Sequence, residues 1–135
     1  MPFTFVPVAS LDALKRARAD MRTFEAVFGG ASPAACYLFS AATQEPAHDF
    51  RARMFAPGMG IAEDPATGAA VAAFAGLLSS AGGLSDGKHD ICIAQGYEMG
   101  RPSQIELGLE ISAGLLTVAT IGGHAVIVSE GKIEV

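Results

Sequence analysis

The run Asp64-Pro65-Ala66-Thr67-Gly68-Ala69-Ala70-Val71-Ala72-Ala73-Phe74-Ala75-Gly76-Leu77-Leu78-Ser79 decides how this chain folds. Asp64 is a favoured N-cap and Pro65 suits a first helical position, so the pattern predicts a helix from Asp64 to Ser79. From Ala69 to Leu78 that helix is apolar on every side, and a helix of this kind has to be surrounded. Its small side chains allow strands to approach closely. Residues 65–85 carry no charge, which raises the alternative of a membrane span. A spanning helix needs about 20 strongly apolar residues. Here Pro65, Gly68, Gly76, Gly82 and Gly83 interrupt a stretch that is mostly alanine. The expectation is a buried core helix and no membrane.

Working outward, the flanks read as strands. Phe3 to Val8 alternates with period two, and Pro7 suits an edge or strand-end position because it cannot donate a ladder hydrogen bond. Ser10 caps a short helix over 11–18. Asp20 opens a second, with Met21, Phe24, Val27 and Phe28 at helical spacing and Gly29-Gly30 as its stop. Residues 35–41, bounded by Pro33, form an apolar run expected to be a buried strand. Residues 49–55 place Phe50, Ala52 and Met54 opposite Arg51, Arg53 and Phe55. Beyond the Gly82-Gly83 break, strands are expected at 88–95, 103–111, 114–121, 124–129 and 131–135. The predicted architecture is α+β: mostly antiparallel strands wrapped around one buried central helix, in a single domain over residues 1–135.

Composition narrows the function. The 135 residues are half hydrophobic, with a net charge of −5, and the mean hydropathy is positive. An apolar excess in a short chain points to surface buried against a partner. Net acidity argues against nucleic acid, which needs clustered Lys and Arg. The one basic cluster, Lys15, Arg16 and Arg18, reads as the wet face of a helix. Cys36 and Cys92 are far apart and fit reduced core thiols. His48, His89 and His124 are scattered, so neither a metal nor another cofactor is expected. No basic-then-apolar leader opens the sequence, and a cytoplasmic protein is the expectation.

The chemistry concentrates between Arg53 and Ala70. This stretch reads as a strand, a glycine-bearing loop and a helix start. The first-turn N–H groups of a helix lack partners, and the helix dipole adds partial positive charge there. Thr67 and Gly68 fall in that turn, and Gly68 lets a ligand approach the backbone, which suits a carboxylate or phosphate. Asp64 at the mouth is a candidate general acid or base. The plainer alternative is that Asp64 only caps the helix and Glu63 only faces water.

Arg53-Met54-Phe55-Ala56-Pro57 followed by Glu63-Asp64-Pro65-Ala66-Thr67-Gly68-Ala69-Ala70 resembles the R-x-F-x-P and E-D-P-A-T-G-S-A signature of PhzF-like phenazine-biosynthesis isomerases. Gln95-Gly96-Tyr97-Glu98-Met99-Gly100-Arg101-Pro102-Ser103 is similar to that family's Q-G-x-x-M-G-R-P-S turn. Gly122-Gly123-His124-Ala125-Val126 resembles its closing strands, and Phe5-Val6-Pro7-Val8 the start of its second half. The resemblance covers essentially the whole chain and implies the C-terminal half of a diaminopimelate-epimerase-like fold. In that fold two similar halves set their central helix ends against a shared substrate.

The resemblance also implies roles. A glutamate of the first half moves a proton in a cofactor-free isomerisation, and the aspartate matching Asp64 lies beside the substrate. The segment matching Thr67, Gly68 and Ala69 binds substrate through backbone and hydroxyl groups. Arg101 is a candidate for a substrate carboxylate, against the plainer role of tying its loop. Arg53 reads as structural, and Glu98 is an outside candidate for acid–base work. Two departures stand out. Ala69 replaces the family's serine, and neither the G-N-P segment with its glutamate nor the G-H-A-T helix start has a counterpart. His124 is expected to be a strand residue. A cysteine mechanism has no support, because Thr67 to Ala69 occupy the helix start.

Three readings stay open. One is a half-site isomerase acting on a small anionic metabolite, completed by a second copy or by a complementary chain carrying the N-terminal half. Another is a non-catalytic metabolite-binding domain. The third is a degenerate structural domain.

Overall fold

The computed structural model describes residues 2–28 and 35–134. The Gly29-Gly30 stop, Pro33 and the final residue of the 131–135 strand lie outside them.

Seven strands form one sheet. They are β1 (Thr4–Pro7), β2 (Cys36–Ser40), β3 (Phe50–Ala56), β4 (Ile61–Asp64), β5 (Gly87–Gln95), β6 (Ser103–Ser112) and β7 (Leu115–Gly123). Their order is β1-β2-β3-β5-β6-β7, with β4 also paired to β3. The β1–β2 and β3–β5 pairs are parallel, and the other four are antiparallel. Strand β1, with Pro7 at its end, lies at an edge of the sheet. The α+β, mostly antiparallel expectation matches this arrangement.

Three helices accompany the sheet: α1 (Leu11–Arg16), α2 (Met21–Phe28) and α3 (Gly68–Ser80). The expected caps of the first two are present. The Ser10 hydroxyl accepts the Ala13 N–H at 3.1 Å, and Asp20 Oδ1 accepts the Thr23 N–H at 2.9 Å. The Thr23 hydroxyl, donating to the same oxygen at 2.7 Å, and then the Thr23 N–H favour the carboxylate and hold Asp20 below the usual Asp range. Of the four apolar residues at helical spacing in α2, Phe24 is buried while Met21 and Val27 are exposed.

The core lies between α3 and the sheet. Phe74, fully buried on α3, stacks against Phe5, Tyr37, Phe39 and Phe50 with ring centroids 4.8–6.1 Å apart. Burying aromatic rings contributes the largest single share of such a core. Ala70, Val71 and Ala75 complete the inward face of the helix.

Four expectations need correction. The helix begins at Gly68 with Thr67 as N-cap, so Asp64 is not its cap and Pro65 is not its first residue. Asp64 instead ends β4, paired across to Met54. A short antiparallel strand satisfies those backbone groups better than an early helical turn would. Second, α3 is covered on one side only, and Ala69, Ala72, Ala73 and Gly76 are exposed. Third, no strand forms over 124–129 or 131–134 among the described residues, because no neighbouring strand offers a ladder there. His124 accordingly lies just beyond β7 rather than within a strand. Fourth, Glu63 does not simply face water, as its ion pair with Arg53 shows.

Candidate functional site

Two loops meet at the N-terminal end of α3. One runs from β4 through Pro65 and Ala66 to Thr67. The other is the turn Tyr97–Met99 between β5 and β6. Gly96, at φ +79°, makes the close approach possible. A Cβ there would overlap the Arg101 carbonyl oxygen and stand 2.8 Å from that of Pro65. Only glycine takes this backbone conformation without strain and leaves that space. The Gly96 carbonyl in turn accepts the Met99 and Arg101 N–H groups, at 3.2 and 3.0 Å.

Beneath the contact lies a buried polar network. Asp64 Oδ2 accepts the Thr67 hydroxyl at 2.7 Å. The side chain of Gln95, fully buried at the end of β5, donates to the Asp64 carbonyl at 2.7 Å and to Thr67 Oγ1 at 2.9 Å. Its Oε1 lies 3.3 Å from both the Thr67 N–H and the Tyr37 hydroxyl. Burial pushes the Tyr37 phenol well above its ordinary range, so it stays a neutral donor.

In front of the helix end lies an open cleft of about 510 Å³, bounded by Ala66, Gly68, Tyr97, Gln104, Ile121 and His124. The N–H groups of Gly68 and Ala69 take no hydrogen-bond partner among the described residues. Two unpaired donors at the positive end of a 13-residue helix can receive an anion.

The five residues singled out from sequence fall into two groups. Asp64, Thr67, Gly68 and Ala69 are gathered at the helix start. Of these, Gly68 lines the cleft, Ala69 is exposed beside it, and Asp64 and Thr67 are tied together just behind the lining. Arg101 stands apart. Its side chain is exposed, lies outside the lining, and makes no ion pair or hydrogen bond among the described residues.

The other charged residues of the motifs are structural. Arg53 forms a two-pronged pair with Glu63, both contacts at 2.8 Å, and donates to the Leu14 and Ala17 carbonyls at 2.9 Å. It therefore closes the C-terminal end of α1, as expected of a structural arginine. Arg51 is almost completely buried, donates to Glu98 at 2.6 Å and stacks on Tyr97 with its guanidinium carbon 3.8 Å from the ring centroid. Glu98 is thus the counter-ion of a buried arginine rather than a free acid or base. Sequence reading missed Arg51, Tyr37 and Gln95. The signal for Arg51 was a pair of arginines two residues apart, Arg51 and Arg53, in an otherwise apolar strand, with Glu63 and Glu98 available to neutralise the pair. Gln95 stood inside the quoted turn motif, but the partners of its amide come from three other elements.

Residues 1–131 match the family model described as phenazine biosynthesis-like protein. The chain belongs to this family. It is 41% identical to an uncharacterized isomerase of Mesorhizobium japonicum, across 98% of the chain and 45% of that protein. It is 33% identical to a trans-2,3-dihydro-3-hydroxyanthranilate isomerase of Pseudomonas fluorescens, across 96% of the chain and 43% of that protein. A phenazine biosynthesis protein of the PhzF family from Bacillus anthracis shares the fold, with TM-score 0.71 at 17% identity over 87% of the chain and 44% of that structure. This phenazine biosynthesis-like chain spans less than half the length of the curated relatives it matches. No described helix is long and apolar enough to cross a membrane, and no cluster of metal-ligating side chains forms among the described residues.

Proposed function

We propose that the chain is one wall of an isomerase site, corresponding to the C-terminal half of the family's fold. Its substrate is a small carboxylate-bearing metabolite related to the dihydrohydroxyanthranilate named for its relative. The observation that carries this reading is the open helix end. Gly68 lines a cleft, its N–H and that of Ala69 are unpaired among the described residues, and the Asp64 carboxylate is held behind by Thr67. Substrate carboxylate rests on those N–H groups, and Asp64 moves a proton on the carbon skeleton without a cofactor; Arg101, outside the lining, is not part of this contact. The opposite wall comes from a second copy or from a chain carrying the N-terminal half. Exposed Val126, Ile127, Val128 and Ile133, each at least 82% accessible, support a covered surface at that end of the molecule.

Incubation of the assembled protein with the dihydrohydroxyanthranilate in deuterated water tests the reading. Incorporation of solvent deuterium is expected, with loss in Asp64→Asn at an unchanged melting temperature, since an Asn side-chain oxygen can still accept the Thr67 hydroxyl. Equal incorporation by Asp64→Asn would contradict the role of Asp64.

One observation favours a second reading, binding without turnover. Ala69 stands at the helix start where the family pattern has serine, so the site lacks a hydroxyl donor. Saturable binding of the same compound with no deuterium exchange would select it.

A further inference from the structure

The network behind the helix end has a direction that follows from its chemistry. A backbone carbonyl only accepts hydrogen bonds, and a backbone N–H only donates. Gln95 faces one of each: the Asp64 carbonyl on its Nε2 side and the Thr67 N–H on its Oε1 side. Its carboxamide therefore has a single sensible orientation. With one Nε2 hydrogen on the Asp64 carbonyl, the other falls on Thr67 Oγ1. A hydroxyl oxygen that receives a hydrogen bond this way directs its own proton elsewhere, and Asp64 Oδ2 is the acceptor 2.7 Å away. Gln95 is fully buried and Thr67 nearly so, so bulk water does not compete for these positions. Asp64 Oδ1 takes no hydrogen bond among the described residues.

We propose that Gln95 is a positioning residue: its carboxamide fixes the Thr67 hydroxyl as a donor to Asp64 Oδ2 and leaves Oδ1 as the oxygen available for proton transfer. Tyr37 steadies the arrangement from the far side, and Gln95 touches neither the cleft nor a substrate. The use of Oδ1 rests on the isomerase reading. The hydrogen-bond direction does not, and it is testable in the chain without turnover.

Nuclear magnetic resonance of the full chain supplies the test. The Thr67 hydroxyl proton is expected in slow exchange and correlated through its hydrogen bond with the Asp64 carboxyl carbon. Gln95→Leu and Gln95→Met remove the donor, and in both the correlation to Asp64 is expected to weaken or disappear while the spectrum stays folded. Persistence at equal strength in both would overturn the proposal. If neither variant folds, Thr67→Val decides, because it keeps the shape of the side chain and leaves Gln95 intact. One Gln95 Nε2 proton then shifts upfield for want of an acceptor, while its twin on the Asp64 carbonyl stays in place. If neither moves, the proposal is wrong. Failure of the isomerase reading alone leaves all these signals unchanged.

Discussion

The middle of the sheet and its β7 edge contrast sharply. At the junction of β3, β5 and the start of α3, polar groups are buried and mostly paired within the chain, and an aromatic cluster fills the space beneath. At β7 and the residues after it, apolar side chains are exposed, and the stretch from Ala125 onward has no ladder among the described residues. The first region finds most of its partners within the chain. The second has the composition of an interior without the neighbours of one. The exposed outer face of α3 belongs with the second: a helix apolar all round is suited to burial on both sides, and here one side is open.

The contrast can be broken from its strong side first. Phe74→Ala removes the ring at the centre of the aromatic cluster and should cost about 3–5 kcal/mol, read as a lowered denaturation midpoint. Glu98→Leu leaves Arg51 buried without its carboxylate and should cost about 3 kcal/mol. Adding Arg51→Met should recover a large part of that loss, because Arg51 already has two nitrogens without partners. A double-mutant cycle measures the recovery. Gly96→Ala should act in the same region, by driving the turn off Pro65; lost amide protection at Thr67 and Gly68 would report it.

The weak side predicts the opposite behaviour. Val126→Asp with Val128→Asp should change the stability of the single chain by less than about 0.5 kcal/mol, as exposed substitutions do. Under the dimer reading the same pair shifts the mass in solution from two copies to one. A wild-type chain that is strictly monomeric at micromolar concentration would leave the complementary-chain form of the proposal as the surviving one.

Legibility in the sequence cut across this divide. Strands β1, β2, β3, β5, β6 and β7 were readable because alternation and turn residues are local. The helix was readable in kind but not in start. Asp64-Pro65 is a strong local opening signal, and it was overridden by the pairing of Asp64 with Met54, ten residues back along the chain. Strand β4 was missed because four residues after a glycine turn carry too little pattern. The 124–129 segment, rich in β-branched residues, has strand propensity but no neighbour, and propensity without a partner does not make a ladder. At the site, the helix end and its glycine were legible. The role of Gln95 was not, since its hydrogen-bond partners converge from β2, β4 and the cap of α3.

The central claim is that the end of α3 receives a carboxylate. Titration of the isotope-labelled full chain with benzoate addresses it directly. The Gly68 and Ala69 amide signals should move saturably, with a Kd on the order of millimolar, and by more than any amide of α1 or α2. Amide signals of Gly68 and Ala69 that stay fixed while benzoate is raised well past that concentration would contradict the account.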